Sequence, residues 1–99
     1  MEKLEFQFDG GAPVSRRAHA GVVGSGDLEV LLAPGAFGRI EVAITTSVQG
    51  MASTWQAQLG RLFGSRAWPA ARIVINDFGA TPAVVGLRLE QAFETAAQA

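Results

Sequence analysis

An α+β two-layer sandwich is the fold this chain predicts, and three features of its apolar pattern predict it. As far as Thr46 the apolar residues recur largely with a period of two, the spacing of strands with one buried face. From Met51 the period lengthens to that of a helix, and it does so again from Val85. Between the two helical stretches stands Arg72-Ile73-Val74-Ile75-Asn76, a β-branched run suited to a short strand. The expected order is a β-meander of about four strands followed by α-β-α, with both helices on one face of the sheet so that each buries its stripe.

In the first strand Leu4, Phe6 and Phe8 alternate with Glu5, Gln7 and Asp9, and Asp9-Gly10-Gly11 with Pro13 ends it. Arg16 to Val23 alternates less sharply, with Ala18, Ala20 and Val22 facing one way and Arg17, His19 and Val23 the other. Leu28 to Leu32 and Ile40 to Thr46 follow as strands joined by the turn Ala33-Pro34-Gly35-Ala36-Phe37-Gly38. Met51, Trp55, Leu59, Leu62 and Phe63 form the stripe of the first helix. Ser53 with Gln56 suits a capping box there, and Gly64 suits the C′ position. If the strands on either side are parallel, this helix is a right-handed crossover. Thr81-Pro82 is a capping residue followed by proline at the first helical position, where its missing N–H leaves no bond unmade. Val85, Leu89, Ala92, Phe93 and Ala96 complete the second stripe, and the tail Ala97-Gln98-Ala99 is expected to fray.

With 99 residues the chain reads as a single domain, 1–99, with one packed core and little margin for enclosing a substrate pocket. Charged residues make up only 17% and the net charge is −1, so there is no basic field for nucleic acid and no polybasic segment for an anionic membrane. The absence of cysteine removes disulfides, thiolate metal sites and thiol nucleophiles together. The N-terminal Met1-Glu2-Lys3-Leu4-Glu5 alternates charged with apolar residues, unlike a signal peptide, and no run approaches membrane-spanning length. A cytoplasmic location is expected.

The most informative stretch is Val22-Val23-Gly24-Ser25-Gly26-Asp27, which sets one serine between two glycines at a strand-to-strand turn. Lacking Cβ atoms, Gly24 and Gly26 can take positive φ and leave the Ser25 hydroxyl open to another protein's active site. Taken alone, Gly-Ser-Gly is also how an ordinary hairpin reverses direction. As a nucleophile of its own, Ser25 would need a base, and the single histidine, His19, has no specified geometry toward it. His19 reads instead as a strand residue facing solvent.

Other constellations are weaker. Gly21-x-x-Gly24-x-Gly26 leads into a strand, whereas a dinucleotide fingerprint must open a helix. Asp77-Phe78-Gly79 spells a kinase triplet without the lysine strand or catalytic loop that gives it meaning. One histidine and scattered carboxylates give no metal spacing. Asp27 and Glu29 share a face if Leu28 lies in a strand, although a solvated strand edge explains them as well. Arg16, Arg17 and Arg39 are candidates to approach phosphate near Ser25, and the N–H groups of Gly79, Ala80 and Thr81 are a candidate anion cradle. Trp55, Phe6, Phe8, Phe63 and Phe93 are core by spacing. Trp68, beside Pro69, is the aromatic best placed for partial exposure, though packing under its loop is the simpler expectation.

Three segments, Leu4 to Gly11, Gly21 to Leu32 and Ile75 to Pro82, together resemble the acyl carrier (delta) subunits of bacterial malonate decarboxylase, with a likeness over nearly the whole chain. The resemblance implies a non-catalytic carrier whose Ser25, within Gly24-Ser25-Gly26-Asp27, bears triphosphoribosyl-dephospho-CoA through a phosphodiester. It implies as partners an acetyl-CoA/malonate transferase subunit, decarboxylase subunits, a holo-carrier synthase and acylating enzymes, with neither nucleic acid nor membrane. The arm's thiol would carry acetyl, exchange it for malonyl and be regenerated by decarboxylation. The citrate lyase acyl carrier is a nearer relative than helical-bundle carriers, and Asp77-Phe78-Gly79-Ala80 followed by a helix with Arg88 resembles its corresponding segment. Besides that citrate lyase alternative, a small α+β binding module with a plain hairpin turn and a free-standing serine hydrolase are the rival readings.

Overall fold

The computed structural model describes residues 1–97, and the fraying expected of Gln98 and Ala99 falls outside them. Five strands and two helices follow in the order β1 (Glu2–Asp9), β2 (Ala18–Gly21), β3 (Leu28–Ala33), β4 (Arg39–Thr46), α1 (Ala52–Gly64), β5 (Ala71–Asp77) and α2 (Pro82–Ala97). They build the expected α+β sandwich. Alternation puts Leu28, Val30 and Leu32 of β3, Ile40, Val42 and Ile44 of β4, and Ile73 and Ile75 of β5 on one buried face. Both helices cover that face, contributing Trp55, Leu59 and Phe63 from α1 and Val85, Leu89, Ala92 and Phe93 from α2 to one continuous core.

The strand order is β1-β4-β5-β3-β2, which corrects the meander. Of the strands that follow one another in sequence, β2 and β3 pair as a hairpin and β4 and β5 pair across the intervening helix. β4 pairs antiparallel with β1 and parallel with β5, and β5 in turn pairs antiparallel with β3. The β-branched Ile73-Val74-Ile75 run explains this central place, since a strand with hydrogen-bonded neighbours on both sides is the most buried. The β4–α1–β5 unit is the parallel crossover anticipated for the first helix.

Local signals at the helix ends had mixed outcomes. Thr81 caps α2, its Oγ1 accepting the N–H of Val84 at 3.3 Å, with Pro82 opening the helix. For α1 the capping box is absent. The N-cap is Met51 without a side-chain bond, and Ser53 lies inside the first turn. At its other end Gly64 remains helical, and Ser65 closes the helix by donating both N–H and Oγ–H to the Leu62 carbonyl. Trp68 is buried, donating Nε1–H to the same carbonyl at 2.9 Å and meeting Phe63 and Phe93 edge-on, so packing under its loop is what the chain adopts.

Candidate functional site

The hairpin between β2 and β3 is built by its glycines. Gly24 accepts the N–H of Asp27 at 3.1 Å, which makes Ser25 and Gly26 the central pair of a four-residue turn. Gly26 has φ +76° whereas Ser25 does not have positive φ, the type II combination that calls for glycine at the third position. Gly24 takes no positive φ, a correction to the expectation that both flanking glycines would. At the start of the loop Gly21 has φ +81°, and a Cβ there would collide with the carbonyl oxygen of Leu28. The Ser25 side chain is exposed and makes no hydrogen bond among the described residues. Val22 and Val23 beside it are 61% and 60% exposed, an unusual solvation of two apolar side chains.

The turn is tied to the body of the protein from two directions. Gly26 N–H donates to the Phe78 carbonyl at 2.8 Å and Phe78 N–H donates to the Asp27 carbonyl at 3.0 Å, extending the β3–β5 ladder past Leu28 and Asp77. The Asp27 carboxylate accepts the Leu28 N–H at 2.7 Å and a guanidinium fork from α2, Arg88 Nε at 3.2 Å to Oδ1 and Nη2 at 2.9 Å to Oδ2. Gln91 holds the remaining arm of that guanidinium through Oε1 at 3.1 Å. Arg88 and, after it, the Leu28 N–H keep the Asp27 carboxyl below the usual carboxylate range. So held, Asp27 is a brace for the turn and a poor proton acceptor.

Other residues singled out in the sequence lie elsewhere. Glu29 does not pair with Asp27. It faces away from the helices, accepting Asn76 Nδ2 at 2.9 Å and lying 3.1 Å from His19 Nε2. Those two bonds, Asn76 first, lower the Glu29 pKa. His19 is thus a solvent-facing strand residue engaged with Glu29, and no hydrogen bond links it to Ser25. Arg39 opens β4 opposite Asp9, and Arg16 and Arg17 precede Ala18, which pairs with Leu32, so all three stand at the end of the sheet away from Ser25. The anion cradle is taken by the chain itself. Gly79 and Ala80 donate their N–H groups to the Asp77 carboxylate, which also accepts the Thr46 hydroxyl at 2.8 Å.

Arg88 is the residue that inspection of motifs underrates, because its partner is distant in sequence. Its signal was helical spacing: three residues past buried Val85 and one before Leu89, it borders the sheet-facing stripe of α2. Chemically, the assembly offers one accessible alcohol on a fixed turn, and among the described residues no side chain is hydrogen-bonded to it.

The chain is similar to a family described as malonate decarboxylase delta subunit (MdcD), whose model matches residues 15–96. A protein of Pseudomonas paraeruginosa called malonate decarboxylase acyl carrier protein is 56% identical over 96 residues, covering 97% of each chain. One of the same name from Azotobacter vinelandii is 53% identical over 94 residues, covering 95% of each. Among solved structures, a chain in the crystal structure of a Pseudomonas malonate decarboxylase hetero-tetramer in complex with malonate superposes with TM-score 0.93 at 55% identity, covering 97% of this chain and 99% of that one.

Proposed function

The chain belongs to the malonate decarboxylase delta subunit family and is the acyl carrier of that enzyme, and on that premise we propose that Ser25 is where its prosthetic arm is attached. The observation that carries the reading is the exposed, unbonded Ser25 hydroxyl at the crest of a turn braced by Phe78 and Arg88. The surroundings fit a phosphodiester there: a Cβ built at Gly26 meets nothing within 4 Å, and one at Gly24 meets only the Val22 side chain at 3.9 Å. Bulk at the crest therefore has room. The arm we assign is triphosphoribosyl-dephospho-CoA, which supplies a terminal thiol whose thioester activates the acyl group. The chain's own residues present the hydroxyl and hold its backbone; on attachment the Ser25 oxygen bonds the innermost phosphorus of the triphosphate, pyrophosphate leaves so that a phosphodiester remains, and the proton goes to a base brought by the modifying enzyme.

Gly24, Gly26 and Asp27 act through geometry: Gly26 and Asp27 set and brace the turn, and Gly24 keeps one flank of Ser25 open. The whole chain, 1–99, works as one carrier domain in the cytoplasm, visiting a transferase subunit and decarboxylase subunits after a holo-carrier synthase has loaded it. A tether raises the effective concentration of its acyl group at each partner site, which is the physical contribution of a carrier that performs no bond chemistry. The test is intact mass and peptide mapping across Val22 to Leu32 on protein from a host that makes the arm, with Ser25→Ala alongside. The expected result is a mass increment on Ser25, and a folded but unloaded variant that abolishes turnover of the complex. Unmodified Ser25 in that host, or a variant that sustains turnover, refutes the attachment.

A further inference from the structure

β4 and β5 run parallel, so Thr46 and Asp77 bring their C-terminal ends side by side. The chain leaves β4 through Ser47 to Met51 into α1, and leaves β5 through Phe78 to Thr81 into α2. Between these exits lies a trough of about 230 Å³, lined chiefly by Val48, Met51, Trp55, Gly79, Pro82 and Val85. Val48 and Met51 are 40% and 37% exposed, an apolar lining that the helices leave open to solvent. The trough adjoins the Ser25 turn. Gly79 lines it, and the preceding residue, Phe78, is hydrogen-bonded on its other side to Gly26 and Asp27. With strands about 4.8 Å apart, the two features are separated by roughly 10 Å across the tip of β5.

Resting on the attachment of the arm to Ser25, we propose that this trough is a seat for the acetyl-thioester end of that arm. Its volume is below the range of roughly 300–1,000 Å³ usual for pockets that hold free ligands, yet it accommodates a two-carbon acyl group and the sulfur bearing it. A tethered group needs little affinity, because a short flexible tether supplies a local concentration in the mM range. Charge selects the acyl group. The single charged side chain lining the trough is Asp77, whose carboxylate already takes the donors of Thr46, Gly79 and Ala80. An acetyl group meets that wall without penalty, whereas the free carboxylate of a malonyl group is brought against the like charge of Asp77. The acetyl form is therefore sheltered between encounters and the malonyl form projects toward solvent.

The test uses holo-carrier whose arm on Ser25 has been verified by mass, loaded separately with acetyl and malonyl. Cleavage of each thioester by neutral hydroxylamine is timed against acetyl-CoA and malonyl-CoA. Acetyl-carrier is expected to react several-fold more slowly than acetyl-CoA, malonyl-carrier within about twofold of malonyl-CoA, and Trp55 fluorescence to change on acetylation. Thr54→Trp, which fills the trough from the exposed first turn of α1, and Val48→Asp, which charges it, should each raise the acetyl-carrier rate to that of acetyl-CoA. Equal rates for acetyl-carrier and acetyl-CoA, or protection that survives both variants, overturn the seat, and equal protection of malonyl overturns the selection by charge. An arm absent from Ser25 overturns the attachment and the seat together, whereas an arm present but unprotected overturns the seat alone.

Discussion

Replacing Gly26 by alanine separates the geometry of the turn from its mere exposure. At φ +76°, with nothing within 4 Å of an added Cβ, the substitution meets a backbone penalty and no collision. For an L-residue in the left-handed region that penalty is about 1–2 kcal/mol. The turn can escape it only by leaving the type II conformation, which breaks the 2.8 Å bond from Gly26 N–H to Phe78 and costs about 1 kcal/mol by itself. Either route lowers Tm, by roughly 5–15 °C for a domain of this length. Gly24→Ala is the control: its φ is ordinary and its Cβ meets only Val22 Cγ2 at 3.9 Å, so a change within about 0.5 kcal/mol is expected. Gly26→Asn should fall between them, because asparagine tolerates positive φ. Thermal unfolding followed by circular dichroism gives the stabilities, and the initial rate of arm attachment, read by mass, gives the functional effect. If Gly26→Ala and Gly24→Ala lose stability equally, the type II assignment and the role given to Gly26 are wrong.

Because its pKa is lower folded than unfolded, Asp27 contributes stability that is fully present above the unfolded value and lost as pH falls through the folded one, in the region below about pH 4. Arg88→Met should flatten that part of the acid-unfolding curve, though not abolish it since Glu29 is lowered too, and should bring the Asp27 carboxyl titration, followed by NMR, upward toward the ordinary range. An unchanged titration would mean that the fork does not hold in solution. Thr46→Val removes the hydroxyl that donates to buried Asp77 and accepts the Val48 N–H at 3.1 Å, and should cost about 1–3 kcal/mol, with faster hydrogen exchange at Val48. Exchange as slow as in the parent protein would show that another group takes over.

The elements were legible because their signals are local. The Leu4-Phe6-Phe8 alternation, the Thr81-Pro82 start and the two helical stripes each depend on residues within a turn or two of one another. Strand order was hidden because pairing β5 between β4 and β3 depends on contacts across the whole chain, and a period of two marks a buried face without naming a neighbour. The Ser53–Gln56 spacing misled for a related reason: the chain enters α1 at Met51, and a capping motif one turn inside a helix caps nothing. At the site, Ser25 stood out from its glycines, but the brace did not, since Asp27 and Arg88 meet only when α2 folds across β2 and β3. Arg16, Arg17 and Arg39, singled out for the affinity of guanidinium for phosphate, lie at the end of the sheet away from Ser25, because which end of a strand a residue occupies depends on pairings the sequence does not show.

The double anchorage of the Gly24–Asp27 turn decides which part of a loaded carrier moves. With Gly26 and Asp27 laced to Phe78 and the guanidinium of Arg88 behind them, the polypeptide under Ser25 is a rigid mast, and with the arm attached at Ser25 as proposed, wandering is left to the rotatable bonds of that arm. Docking into a partner then freezes cargo torsions while the backbone, already frozen by folding, surrenders no further entropy. Reach is set by the length of the cargo, and aim is set by the mast.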